Sequence, residues 1–192
     1  EISYDEMLEL ASFGAKVLHN RSVELAKKYN EKLVVRSSLT VAEGTLVREE
    51  SKVEKMLVSG LALDKDVSRI TVVGIKDMPG MAFKVFSLLA KENIVADIII
   101  QSVGSMRLKD ISFTIKRTDL ENTLYILEKN KDFLGHDSVN YDSSVVKLSV
   151  VGAGIASNPS IAAKMFEALY DVGTNIRMIS TSEIKISVLI DA

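Results

Sequence analysis

The stretch Ile70–Ile100, ITVVGIKDMPGMAFKVFSLLAKENIVADIII, is echoed by Leu148–Ser180, LSVVGAGIASNPSIAAKMFEALYDVGTNIRMIS. Pro79 matches Pro159, Ala82 matches Ala162, Lys84 matches Lys164, Phe86 matches Phe166 and Leu89 matches Leu169, all at one offset. Only the loop after the first strand differs, GIKDMP against the longer GAGIASNP. Such self-similarity predicts two related modules in one chain, each running strand, proline turn, amphipathic helix, strand. A module of that kind presents a helix N-terminus. It points to recognition of a small charged ligand more than to chemistry.

Three zones follow. In residues 1–50, Met7, Leu8, Ala11, Ala15 and Leu18 recur at helical spacing over Tyr4–Leu18, and Arg21–Tyr29 reads as a second, short helix. Leu33–Arg36 then reads as a strand and Ser37–Gly44 as a loop; one strand cannot bury both helices, so this zone reads as the end of a larger α/β domain. Residues 51–145 open with an alternating strand over Lys52–Leu63 and a β-branched run at Ile70–Ile75, followed by a helix from Pro79 to about Glu92 with Phe83, Phe86, Leu89 and Ala90 on one face. Strands at Ile94–Val103 and Asp110–Ile115, a helix at Asp119–Lys129 and a closing strand near Val139–Tyr141 complete the order βαββαβ. That order is α+β and ferredoxin-like, an antiparallel sheet with both helices on one face. Residues 146–192 repeat its first half: strand Lys147–Gly152, helix Pro159–Asp171, strands Asn175–Ser180 and Ile184–Ile190. This second module is incomplete at its C-terminus, which would leave a sheet edge and an apolar face open. The Lys52–Leu63 strand, or a second subunit, is expected to cover part of it.

Composition narrows the function classes. Of 192 residues, 47% are hydrophobic and 26% charged, as in packed proteins and unlike disordered ones. A net charge of -2 exerts no general pull on nucleic acid or anionic membranes, so neither is expected as a partner. The absence of cysteine removes disulfides and thiolate chemistry, and two histidines, His19 and His136, make a histidine-rich metal site improbable; no metal is expected. No apolar run approaches a membrane span, and the start at Glu1 shows no signal sequence, which reads as a cytoplasmic fragment with its N-terminus upstream.

The candidate ligand residues sit at the helix starts. In Lys76–Ala82, Asp77 is placed to cap the helix and Pro79 to fill its first turn, while Gly80 and Ala82 keep side-chain bulk away from the backbone amides. Those amides and the helix dipole suit a carboxylate, and Asp77 or Asp97 would take an ammonium group. Taken alone, the same residues also make an ordinary strand–turn–helix. Asn175 and Ser180–Glu183 read equally as a strand start and a hairpin turn, and Gln101 interrupts an apolar strand at its end. His19 and His136 read as surface or cap residues. Neither GIKDMPG nor GAGIASN has phosphate-loop spacing, and no Ser/His/Asp arrangement is recognisable. An RNA-binding module would need aromatic residues on its central strands, where Phe113 is the lone one.

At these residues a resemblance emerges. GIKDMPGMAFKVFSLLAKENIVADIIIQSV with DISFTI resembles the first ACT domain of the aspartate kinases, and VVGAGIASNPSIAAKMFEALYDVGTNIRMISTSEIKISVLI resembles the second. Upstream, SYDEMLELASFGAKVLHNRSVELAKKYN and LVVRSS resemble the end of that family's catalytic domain. The resemblance implies an effector-binding regulatory region of an enzyme that phosphorylates L-aspartate with ATP and magnesium, with lysine, threonine or both as feedback effector. It implies effector contacts from Asp77, Met78, Pro79, Gly80, Met81 and Ala82, from Val95, Ala96, Asp97 and Gln101, and from Ile161, Ala162, Asn175, Ile176, Thr181 and Ser182. Lys16 and Val17, in the GAKVLH motif, are associated with the nucleotide site. No catalytic residue is expected within this chain, which would therefore be inactive alone, with no cofactor of its own. Val95-Ala96-Asp97 departs from a usual Asn-Ile/Val-Asp, Asn20 from a usual proline and Gly104 from a frequent serine. Expected partners are the catalytic domain of the same enzyme and a second copy through the ACT sheets. The alternative is a free-standing ACT sensor acting on another protein, against which the GAKVLH remnant speaks.

Overall fold

A computed structural model describes residues 1–12, 17–49, 57–102 and 108–192. The chain divides into two compact units, Lys65–Val146 with Ala192, and Glu1–Asp64 with Lys147–Asp191. Along the chain the elements are β1 (Ile2–Ser3), α1 (Tyr4–Ser12), α2 (Asn20–Tyr29), β2 (Leu33–Val35), β3 (Thr45–Arg48) and β4 (Gly60–Asp64). They continue as β5 (Ser68–Lys76), α3 (Met81–Lys91), β6 (Ile99–Gln101), β7 (Leu108–Ile115), α4 (Leu120–Lys129), α5 (Lys131–Leu134) and β8 (Ser138–Asp142). The last are β9 (Val145–Val151), α6 (Ser160–Asp171), β10 (Ile176–Thr181) and β11 (Lys185–Asp191).

The unit at Lys65–Val146 is the ferredoxin-like module. Its antiparallel sheet has the order β6-β7-β5-β8. Alternation along β5 and β7 sends Ile70, Val72, Ile111, Phe113 and Ile115 to one face, where they are buried against α3 and α4. Phe113 lies fully buried with the Phe86 ring edge-on at a 5.4 Å centroid distance. The α3 stripe is Met81, Val85 and Leu89, at i, i+4 and i+8. This corrects the expected stripe: Leu89 and Phe86 do face the core, but Phe83 is 76% exposed and Ala90 faces out. Helix α3 also starts later than expected, at Met81, because Gly80 holds φ 91 and breaks the helical backbone before it. The expected Ile94–Val103 strand contracts to β6. Ahead of it, the buried Thr114 hydroxyl accepts from the Ile98 amide at 3.1 Å and substitutes for a ladder bond. The part of the expected strand at Val103 lies outside the described residues.

In the other unit, β9, α6, β10 and β11 repeat the first half of the module, with sheet order β10-β11-β9-β4. Strand β4, from ahead of the first module, pairs antiparallel with β9 from Gly60–Val151 to Asp64–Lys147. It occupies the position that β8 holds in the first sheet. Among the described residues the strand expected at Lys52–Leu63 runs Gly60–Asp64, and its residues 52–56 lie outside the described residues. One cross-strand pair marks the duplication: Thr71 Oγ1 meets Ser112 Oγ at 2.9 Å, and Ser149 Oγ meets Ser187 Oγ at 2.8 Å.

The N-terminal segment carries its own sheet, β1-β3-β2, with β1 parallel and β2 antiparallel to β3. Strands β1 and β3 were not expected from sequence, being only two and four residues long. They resolve the shortage of core: Ile2, Tyr4, Met7, Leu10, Val23, Ala26 and Val47 bury together with Ala62 of β4 and Val151 of β9. Among the described residues helix α1 is Tyr4–Ser12; Ala15 of the expected stripe lies outside the described residues, and Leu18 lies in a bend.

Candidate functional site

The turn between β5 and α3 forms one wall of a cavity of about 380 Å³, lined by Ile75, Lys76, Asp77, Met78, Pro79, Gly80, Met81, Ala82, Gln101, Lys109 and Ile111. A bulge in β5 between Val72 and Ile75 shapes this wall. At its centre Gly74 adopts φ 75, its amide donates to Asp110 Oδ1 at 3.0 Å, and a Cβ there would run into the Asp137 carboxylate. The bulge turns the end of β5 so that Ile75 lies opposite Lys109 of β7, with Lys109 and the buried Ile111 on one face.

Gly80 is the N-cap of α3 and makes no side-chain cap bond, and a Cβ at that position would meet nothing within 4 Å. The first helical bond runs from Lys84 N to Gly80 O at 3.0 Å, so the amides of Met81, Ala82 and Phe83 precede it. Those donors and the positive end of the helix suit an anion. The expectation that Asp77 caps the helix is corrected. Asp77 Oδ1 instead holds the Lys109 ammonium at 2.7 Å, with the two side chains 47% and 25% exposed. Pro79 likewise stands before the cap, in the turn, and not inside the helix.

The second module treats its helix start differently. Pro159 is the N-cap of α6, and Asn158 Oδ1 accepts from Ser160 N at 3.0 Å and Ser160 Oγ at 2.6 Å. That end is filled by its own chain. Ile161 is buried on the apolar face of α6 and Ala162 packs beside it. Asn175 precedes β10, Ile176 begins it, Thr181 ends it opposite Ile186, and the Ser182 amide closes the β10–β11 turn on Lys185 O at 2.8 Å.

Of the expected contacts, Asp77–Ala82 and Gln101 are brought together around the first-module cavity, whereas Val95, Ala96 and Asp97 are not among its lining residues. Lys16 lies outside the described residues, and Val17 is half exposed. His19 caps α2 through Nδ1, whereas His136, expected at a surface or cap, is buried, with Nε2 3.2 Å from Leu127 O. Sequence reasoning missed Lys109; the alternation of Lys109 with Ile111 in DISFTI's strand was the available signal. It also missed Glu6, a buried carboxylate in the N-terminal segment. Burial pushes the Glu6 pKa up, but hydrogen bonds from Ser59, the Ser3 amide and hydroxyl, and the Ala153 amide outweigh it and hold the carboxyl below its ordinary value of 4.5. The Ser3–Glu6 part is a capping box, legible as SYDE.

The ACT domain family profile matches residues 70–130 and 148–192. An aspartokinase of Helicobacter pylori is 50% identical over 197 residues, covering 100% of this chain and 48% of its own length. The chain thus spans about half the length of the curated relatives it matches. The ligand-free crystal structure of the regulatory subunit of aspartate kinase from Thermus thermophilus is 42% identical, with TM-score 0.67 over 71% of this chain and 89% of that one. E. coli aspartokinase III in complex with lysine and aspartate, in its T-state, is 25% identical, with TM-score 0.74 over 98% of this chain and 42% of that one. With the repeat, the paired ferredoxin-like sheets and the open helix start, these similarities place the chain: it belongs to the ACT domain family, among the aspartate kinases.

Proposed function

We propose that this chain is the amino-acid-sensing regulatory region of an aspartate kinase, a cytoplasmic enzyme that phosphorylates L-aspartate and is turned down by lysine, threonine or both. The observation that carries the reading is the unfilled start of α3 at a cavity whose wall also holds a carboxylate, Asp77, and an amide, Gln101. An α-amino acid meets these groups in kind: its carboxylate at the first-turn amides, its ammonium at Asp77. The lysine complex of the E. coli relative supports the effector class. Similarity along the N-terminal segment as well favours this reading over a free-standing sensor.

ATP and magnesium belong, in this reading, to the rest of the enzyme. Val17 offers a phosphate or metal ion no ligand atom from its side chain. A homodimer through the ACT sheets is part of the same proposal: β6 is an edge strand whose Ile99 and Ile100 are 50% and 37% exposed.

Calorimetric titration with threonine and with lysine tests the reading. Asp77→Ala should lose a charge-assisted contact of about 1.5–3 kcal/mol, roughly ten- to a hundredfold in affinity. Unchanged binding by a folded Asp77→Ala protein would reduce Asp77 to a surface residue.

A further inference from the structure

We propose that Lys109 sets the effector preference of this cavity, excluding α-amino acids with cationic side chains in favour of uncharged ones. The inference rests on the cavity at Asp77–Ala82 being the effector site, and adds which effector it takes.

The charge count is the starting point. Among the described residues lining the cavity, the ionisable side chains are Lys76, Asp77 and Lys109. Two cations against one anion leave the wall at net +1, and the open start of α3 adds a further positive end. A zwitterion with a neutral side chain brings no net charge into that field. A second ammonium group enters a wall whose described charges already carry an excess of one cation.

Lys109 also occupies Asp77, the one carboxylate among the described lining residues. Its Nζ lies 2.7 Å from Asp77 Oδ1, so the ligand's α-ammonium must share or displace it. The pair is partly exposed and worth little by itself, so exchange is easy for one ammonium. Among the described lining residues a ligand carrying two finds this single carboxylate for both, and the displaced Lys109 remains nearby. Geometry keeps it there: β7 pairs Lys109 with Ile75 beyond the β5 bulge, and Ile111, on the same face, is anchored in the core. Met78 and Ile75 supply apolar wall for the short aliphatic part of an uncharged side chain.

The test uses the 192-residue chain, its Lys109→Gln variant and a second variant, Lys109→Thr, with folding checked by circular dichroism. Threonine and lysine are titrated calorimetrically into each. The unmodified chain should bind threonine more tightly, and both variants should shift the affinity ratio toward lysine by roughly three- to tenfold. Equal or tighter binding of lysine by the unmodified chain overturns the proposal, as does a ratio that both folded variants leave unchanged. If neither amino acid binds the unmodified chain, the effector-site reading itself fails, a result distinct from a wrong preference.

Discussion

Glu6→Gln removes one charge and keeps the shape of a side chain that is only 4% exposed. The two carboxylate oxygens are used symmetrically. Oε2 accepts from Ser3 N at 3.0 Å and Ser3 Oγ at 2.8 Å, and Oε1 accepts from Ser59 Oγ at 2.6 Å and Ala153 N at 2.9 Å. Each oxygen therefore faces one hydroxyl and one backbone amide. A glutamine has one acceptor oxygen and one NH₂ donor, so either orientation sets the NH₂ against a backbone N–H. A hydroxyl can rotate to accept; an amide cannot. One unsatisfied buried amide costs about 1–3 kcal/mol, and loss of charge assistance adds to it, so we expect a destabilisation of about 2–3 kcal/mol at neutral pH. The folded carboxyl titrates below its unfolded value, so its stabilisation is complete above about pH 4.5 and is lost as pH falls through the folded value. Protonated Glu6 loses the charge assistance to its four donors, as glutamine does. Urea unfolding followed by circular dichroism at about pH 7 and about pH 3.5 should therefore show a gap between the two proteins that narrows in acid. Coincident midpoints at neutral pH, or a gap unchanged in acid, would refute the argument.

Ser149→Ala should destabilise by about 1–3 kcal/mol by stranding the buried Ser187 hydroxyl, while the double replacement of Ser149 and Ser187 by Ala should recover part of that loss; thermal melts of the three proteins decide it. Asp77→Ala should change folding stability by no more than about 1 kcal/mol, since its ion pair with Lys109 is half exposed, and a urea titration measures this separately from its binding defect. Light scattering at high protein concentration should report a dimer, and a monomer with and without amino acid would sink the dimer proposal.

The repeated module was legible in the sequence because its signals are local. A β-branched run marked β5, its echo in the repeat marked β9, and the shared spacing from Pro79 to Leu89 and Pro159 to Leu169 marked α3 and α6. The likeness of DISFTI to KISVLI even foreshadows the hydroxyl pairs on the two sheets. Local signals also singled out the turn at Asp77–Ala82, which lines the first-module cavity. They could not assign Asp77, because Asp is a good helix cap and only the pairing of β7 with β5 brings Lys109 within 2.7 Å of it.

The sequence by itself thus determined two half-similar sheets and the turn that lines the cavity of the first. The tertiary structure decided how the second sheet is closed. Its fourth position goes to β4, a strand that precedes the whole first module in the chain, through the pairing of Gly60–Asp64 with Lys147–Val151. It also decided that Glu6 collects the Ser59 hydroxyl and the Ala153 amide. Strand pairing and buried carboxylate shells join residues far apart in sequence, and periodicity records only which face of an element is apolar, not which distant partner meets it.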